Sequence, residues 1–485
     1  MTGKKIEPTG RESGDWRSEL RDSLGVCGLP NDQWADFLAA LEVNHGSVMR
    51  LHRRWIDDAK SQSESDGIRA GHLGPTVPWY HGAFRHDGTW QGRRPADTLR
   101  YAAGDFFLQD AGSLLALAAC GADTDELAGG LVCDLCASPG GKATALVEAV
   151  GESGFVLANE PIRSRLAALE FNLTRTGSDR WAISQKDPED LASELTGQFD
   201  CVVVDAPCSG QTLVARGKQS EGSFSARQVR HSAARQNRIL DAAVRLLRPG
   251  GKLIYSTCTF AVDENEAQVQ RMVDTASMVP VQLEALRDYR SVADGCYRLW
   301  PHLHDCAGAF AARLDAGGDA MSTRDEASPT HGGDRISSAK RHKNRRDRRG
   351  PRRIEFEPGD WVTDDAAGLH QRTIIRGDVA MCVPVDAPQW VPLIAAKLPE
   401  LAYCTGKTWK PAHGLARRAF ASVTPVQTIQ VDDAQARRYL SGNVIDCALR
   451  GWVVVTWQDR PLGWIKSNGS TGKNHLPVPY RLTGG

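Results

Sequence analysis

The stretch LVCDLCASPGGKATALVEAV, residues 131–150, constrains this chain more than any other. An apolar run ends at Asp134, a tight Ala-Ser-Pro-Gly-Gly turn follows, and a helical pattern opens at Lys142. Strand, glycine turn and helix in that order form a ligand cradle. Gly140 and Gly141 let backbone approach a ligand, and the helix start offers unpaired N–H groups to an anion. Glycine alone is equally at home in an ordinary strand-to-helix turn. Cys133 and Cys136 raise zinc or a redox pair as another reading. Residues alternate between the faces of a strand, so cysteines three apart within one diverge, and the chain has no second CxxC. No metal is expected.

The segments that follow repeat the strand-and-helix alternation. GFVLANE (154–160) reads as a second strand ending in Glu160, which lies 26 positions beyond Asp134. That is close to the spacing at which a dinucleotide fold places its ribose-binding carboxylate. Residues 162–176 read as a helix with Leu166, Leu169 and Leu173 on one face, and 181–187 as a third strand ending in Asp187. FDCVVVDA (199–206) is almost wholly apolar, as a strand covered on both faces must be, and leads into Pro207-Cys208-Ser209-Gly210. A long helix over 225–247 stops at Pro249-Gly250-Gly251, and a fifth strand, KLIYSTCT, reaches Cys258 before a helix over 263–272. Residues 296–314 read as a closing pair of strands. The pattern predicts an α/β, Rossmann-like, doubly wound sheet, with ligands beyond the carboxyl ends of its strands. Asp134, Glu160, Asp187, Asp205, Cys208 and Cys258 all fall at such ends.

Around this core, 485 residues leave room for further domains. Residues 1–25 read as a loose tail. Trp34, Phe37, Leu38 and Leu41 give 29–55 a helical period, and Tyr101–Ala119 reads as an aromatic run, a turn with Asp110 or Ser113 near a helix start, and an apolar helix over one end of the sheet. The divisions are a tail and small helical module (1–99), a Rossmann-like domain (100–315), a basic disordered linker (316–353) and a β-rich domain (354–485). Lys plus Arg equal Asp plus Glu at 59 each, so any affinity for a polyanion must be local. It is concentrated in RISSAKRHKNRRDRRGPRR (335–353), where ten Lys or Arg, among them Arg345, Arg346, Arg348 and Arg349, meet one acid, Asp347. Such a run is either a solvated linker or a phosphate-binding segment, and both readings stand. Six of the 13 tryptophans lie beyond residue 354; most belong to a core, while Trp464 beside Lys466 and Lys473 suits a stacking, basic surface. The polar N-terminus, the lack of any apolar run near ~18 residues and twelve scattered cysteines predict a cytoplasmic protein with no membrane span.

Acids at successive strand ends beside a glycine turn suit a nucleoside with hydroxyls and an amine to hold. A lone cysteine at a strand end is more often just a small buried side chain, but two facing one crevice suggest thiolate chemistry. Carbon 5 of cytosine accepts a methyl group only after a thiolate adds to carbon 6. The addition needs an acid at the ring nitrogen, and its reversal needs a base for the proton on carbon 5. The base must also be unstacked, which favours single-stranded or flipped RNA. These residues alone do not choose between Cys208 and Cys258, since DNA cytosine methyltransferases attack with a Pro-Cys thiol.

FFLQDAGSLL, DLCASPGGKA, ANE, DAPCSG, YSTCTF and RLWPHLHDCAGAF resemble, in order, the motifs of the NOL1/NOP2/Sun family of RNA cytosine-5 methyltransferases, and most closely its bacterial RsmF-type members. LGWIKSNGSTGKNHLP resembles the PUA-like RNA-binding module at the C-terminus of those proteins. The resemblance implies S-adenosylmethionine as cofactor, held by Ala137, Ser138, Pro139, Gly140, Gly141, Lys142, Glu160 (ribose), Asp187 (adenine side) and Asp205. It implies Cys258 as nucleophile, Cys208 in product release and Asp205 on the target base. It further implies RNA as partner, small-subunit ribosomal RNA first and transfer RNA second, and a monomer is expected. After Gly210 the sequence QTLVARGKQSEG departs from the family's pattern, leaving Arg216 and Lys218 as the basic residues for RNA there. A non-catalytic assembly factor is the alternative from another class, and it needs neither thiol.

Overall fold

The computed structural model describes residues 16–27, 29–58, 73–89, 92–216, 220–317, 356, 361–363, 373–406, 408–418 and 423–482. Near the N-terminus, β1 (Ser47–Leu51) pairs antiparallel with β2 (Ala83–Phe84) and β3 (Phe106–Asp110). The helical period read over 29–55 holds for Trp34–Leu41 and again from Arg53, with β1 between them. Val48, Met49, Arg50 and Leu51 are buried in succession, because both faces of β1 are covered. The tail read over 1–25 carries a helix at Trp16–Leu24 that buries Leu20 and Leu24. Trp16 stacks on Phe224 at 4.9 Å, and Phe37 of the next helix meets Phe260 edge-on at 5.1 Å. These two helices therefore lean on the loops that follow the fourth and fifth parallel strands.

The central sheet has eight strands: β4 (Leu131–Asp134), β5 (Phe155–Asn159), β6 (Trp181–Ser184), β7 (Phe199–Asp205), β8 (Leu247–Thr257), β9 (Met278–Pro280), β10 (Cys296–Leu299) and β11 (Ala309–Ala316). Its order is β10-β11-β8-β7-β4-β5-β6, with β9 pairing β11. The strands β8-β7-β4-β5-β6 run parallel, and β10 and β11 close the sheet antiparallel. Strand order reverses between β4 and β7, the switch point at which a doubly wound sheet opens a crevice. Successive side chains of β7 divide between the two apolar layers: Cys201 and Val203 face one, Val202 and Val204 the other. An unbroken apolar run is what a strand covered by helices on both sides requires, each large side chain contributing about 1.5–3 kcal/mol on burial. The first layer is completed by the Leu114–Ala119, Gly141–Val150 and Leu166–Arg175 helices, the second by Pro188–Glu194, Ala226–Leu246 and Glu266–Ala276.

The C-terminal part has a four-stranded sheet (Thr373–Arg376, Val379–Cys382, Glu400–Thr405, Thr408–Pro411) and a five-stranded one built on the Arg450–Trp457 and Arg460–Asn468 hairpin. The first of these is joined to the central domain. Met381, Val391, Ile394 and Leu398 belong to its second apolar layer, and the backbone of Ala396 and Lys397 hydrogen-bonds Ile183 on the open edge of β6. An exposed edge strand is thereby paired. Arg345, Arg346, Arg348 and Arg349, with the rest of the basic run, lie outside the described residues. Among those described, no helix is long and apolar enough to cross a membrane.

Candidate active site

β4 ends on Asp134, and the turn after it carries Cys136, so that cysteine stands outside the strand rather than opposite Cys133 within it. Among the described residues no cluster of His, Cys, Asp and Glu is arranged to hold a metal. Gly140 precedes the Gly141–Val150 helix at φ +113°, and a Cβ there would press to 3.2 Å from Asn172 Cβ and Leu169 Cδ1. Only glycine fits that position. The turn is tied down from the opposite side: Asn172 Nδ2 donates to the Pro139 carbonyl at 2.9 Å and Arg165 to that of Ser138 at 2.6 Å.

Three carboxylates border this cradle. Asp134 is 1% exposed. Neither of its oxygens has a hydrogen bond of good geometry, the Cys136 N–H giving only a weak electrostatic contribution. Burial, with Asp205 nearby, pushes it up to about 7, against the pull of Lys142. Asp205, at the end of β7, accepts from Ser256 Oγ at 2.8 Å and pairs with Lys142 Nζ at 2.8 Å, while staying 41% exposed at its side chain. Burial works against the Lys142 charge, but Asp205 and Asp134 together offset it and leave that ammonium raised. Glu160, just beyond β5, is buried; its Oε1 takes the Ile162 N–H at 2.9 Å and its Oε2 pairs with Arg165 at 3.1 Å.

The two thiols face each other across neighbouring strand ends. Cys208 Sγ lies 3.2 Å from Cys258 Sγ, and the Cys258 N–H points to Cys208 Sγ at 3.4 Å. Thiols this close do not both ionise. The Cys208 thiol is raised well above its usual value, first by its hydrogen bond with Cys258 and then by burial.

Residues 124–315 match the family described as 16S rRNA methyltransferase RsmB/F, and residues 426–482 match the methyltransferase RsmF PUA domain. Residues 124–315 thus form a methyltransferase domain of the RsmB/F type. The ribosomal RNA small subunit methyltransferase F of Salmonella paratyphi B is 34% identical over 244 residues, covering 49% of this chain and 50% of that protein. The one from Cronobacter sakazakii is 33% identical over 249 residues, covering 49% and 50%. The chain spans about half the length of these curated relatives. A methyltransferase homologue from Pyrococcus horikoshii shares the fold at a TM-score of 0.50 and 23% identity, covering 62% of this chain and 99% of that one. The fold is therefore the Rossmann-like one of S-adenosylmethionine-dependent methyltransferases, with a PUA domain at the C-terminal end.

The crevice brings together the 137–142 turn, Glu160, Asp205, Cys208 and Cys258. Asp187 also follows a parallel strand, next to the one that precedes Glu160. It lies three residues past β6, is exposed, and accepts from the Glu189 N–H as cap of the Pro188–Glu194 helix. The stacking role read for Trp464 is overturned: its ring is 2% exposed and its Nε1–H donates to the Ala412 carbonyl. Trp452 is the ring beside Lys466, 5.6 Å from Nζ, and Lys466 and Lys473 stand opposite each other on adjacent strands. The side chain of Arg216 and the whole of Lys218 lie outside the described residues. Two features escaped sequence reasoning: Asp134 as an unpartnered acid inside the cradle, and Lys142 as the partner of Asp205. The strand-end position of Asp134 was the available signal for the first.

Proposed function

We propose that this protein methylates carbon 5 of a cytosine in small-subunit ribosomal RNA, with S-adenosylmethionine as methyl donor and Cys258 as covalent nucleophile. The observation that carries the reading is the thiol pair at 3.2 Å beside the Asp205–Lys142 pair, at the switch point of the sheet. The cradle fits the cofactor, because an unpartnered buried carboxylate at Asp134 suits a cationic ligand and Gly140 leaves no side chain in the turn. Glu160 would hold the ribose hydroxyls. When bound, S-adenosylmethionine supplies a methyl group on a sulfonium.

The chain's own residues do the rest. The Cys258 thiolate adds to carbon 6 and makes carbon 5 nucleophilic. Asp205 accepts from the exocyclic amine of the base, and Lys142 against it donates to the ring nitrogen as charge builds there. After methylation a solvent water takes the proton from carbon 5, the carbon 5–carbon 6 double bond re-forms, and the carbon–sulfur bond breaks with its electron pair returning to Cys258. The departing Cys258 thiolate then accepts a hydrogen bond from the Cys208 S–H, which is how Cys208 speeds release.

Denaturing gels with a labelled small-subunit RNA test this directly. Cys258→Ala should form no adduct and show no turnover, whereas Cys208→Ala should accumulate a protein–RNA species that survives denaturation. The mirror pattern would transfer the attack to Cys208, and full activity in both variants would sink the mechanism. Bisulfite sequencing of total RNA from cells with and without the protein identifies the cytosine, and a signal confined to transfer RNA would replace the ribosomal substrate.

A further inference from the structure

Each thiol is followed by a hydroxyl residue, and both hydroxyl residues lead to one buried carboxylate. Ser209, after Cys208, donates its backbone N–H to Glu264 Oε2 at 2.9 Å. Thr259, after Cys258, lies with Oγ1 2.8 Å from Ser209 Oγ and donates to Glu264 Oε1 at 3.4 Å. Gln236, on the long helix, gives one amide nitrogen to both Glu264 Oε2 (2.9 Å) and the Pro207 carbonyl (3.2 Å). Glu264 and Gln236 are wholly buried, and Ser209 and Thr259 are 1% exposed. Glu264 is itself fixed: its carbonyl accepts from Tyr255 OH at 2.5 Å, and Asn265 next to it donates to the Thr259 carbonyl at 3.0 Å. Two further bonds join the loops, from Thr212 N–H to the Cys258 carbonyl and from Phe260 N–H to Gln211 Oε1.

We infer that Glu264 is a positioning residue that sets the separation of Cys208 and Cys258 by clamping the two loops that carry them. The inference rests on the roles proposed above for the two thiols. A carboxylate is suited to the task because it accepts several N–H and O–H donors at once, and each charge-assisted bond is shorter and stronger than a neutral one. Burial raises the Glu264 carboxyl, against the pull of its donors from Ser209, Gln236 and Thr259. Four buried polar groups concentrated behind two reactive thiols do little for apolar packing. They fix geometry, and a misplacement of about 1 Å costs on the order of a hundredfold in rate.

The test uses Glu264→Gln, which keeps the size but turns an amide donor against donors already present. Dibromobimane, which becomes fluorescent only after two thiols displace its bromides, reports the spacing without RNA or cofactor. Peptide mass spectrometry locates the bridge on Cys208 and Cys258. In the folded variant bridging should fall severalfold while single alkylation of Cys258 persists, and kcat should fall by about a hundredfold with KM for the cofactor unchanged. Wild-type bridging, or lost bridging with wild-type kcat, overturns the inference. Should Glu264→Gln fail to fold by circular dichroism, Gln236→Leu decides: reduced bridging supports the clamp, and wild-type bridging overturns it. Should the wild-type protein methylate no RNA, bridging still decides whether Glu264 holds the thiols, so the two readings fail separately.

Discussion

Asp134 and Asp105 are buried alike, with no more than 1% exposure, yet the protein treats them oppositely. Asp105, where the N-terminal sheet meets the C-terminal hairpin, is saturated. Trp55 Nε1 donates at 3.1 Å, Arg100 at 3.1 Å, and Arg460 Nε sits within 2.9 Å of both oxygens, with Arg54 at 3.5 Å. Asp134, in the crevice, has no hydrogen bond of good geometry. A buried charge is tolerated when paired, and a bare one is an interaction still open to a partner. The difference separates a carboxylate that joins parts of the fold from one that waits for a ligand. Removing the first should damage stability, and removing the second should damage binding.

The largest effect belongs to Asp105. Asp105→Ala leaves Arg100 and Arg460 without their carboxylate, and breaking such a pair costs about 3–5 kcal/mol. Denaturant unfolding should show that loss, while the folded fraction binds S-adenosylmethionine with wild-type affinity. A stable variant with weakened cofactor binding would erase the contrast.

That junction also shows where sequence reasoning stops. Asp105 and Arg460 are 355 residues apart, and nothing local to either announces the other. The strand β1 hides in a segment whose neighbours are helical, since its partner β3 begins some way downstream at Phe106. Trp464 reads as a surface ring beside two lysines until the Ala412 carbonyl takes its N–H in the core. Asp187 sits in the sequence like Glu160, and in the fold it also caps the helix that the proline at the next position starts. The cradle, Asp205 and both thiols were legible because each is a local strand-to-turn pattern that the parallel sheet brings to one end. Glu264 was not, because its partners come from the loop after β7, the loop after β8 and the middle of the long helix.

The second effect concerns Asp134 and carries a sign in pH. Its carboxyl is raised from 3.8 to about 7 in the fold, so the folded state holds a proton that the unfolded chain gives up. Stability contributed by this group is present below the unfolded value and is lost as pH rises from about 4 to about 7, a decline of a few kcal/mol at most. Asp134→Asn should remove that decline, gaining on the wild type across the window. It should also weaken cofactor binding by about 1.5–3 kcal/mol above neutral pH, where the ionised acid would face a cation. Chemical denaturation and calorimetry across pH 4–8 check both, and parallel stability curves with unchanged affinity would place Asp134 with the structural acids.

The smallest effect tests whether the same logic reaches the surface. Lys466 and Lys473 are directly opposite on neighbouring strands, a like-charge pairing that costs the sheet roughly 0.2–1 kcal/mol. His475 nearby is pushed down to about 4, by burial first and then by Lys473, Lys410 and Lys466. Positive charge is thus concentrated on this face of the PUA domain although it strains its own strands, as a buried carboxyl is left without a well-formed hydrogen bond at Asp134. If the face binds RNA phosphates, the double variant Lys466→Ser, Lys473→Ser should be slightly more stable and bind RNA with a weaker salt dependence. The slope of log K against log salt should fall by about 0.7 for each phosphate of a single strand that the lysines no longer neutralise. A stability gain with an unchanged slope would mean that the lysines repel each other without serving RNA, and the groups that neutralise its phosphates would then have to be sought elsewhere on the chain.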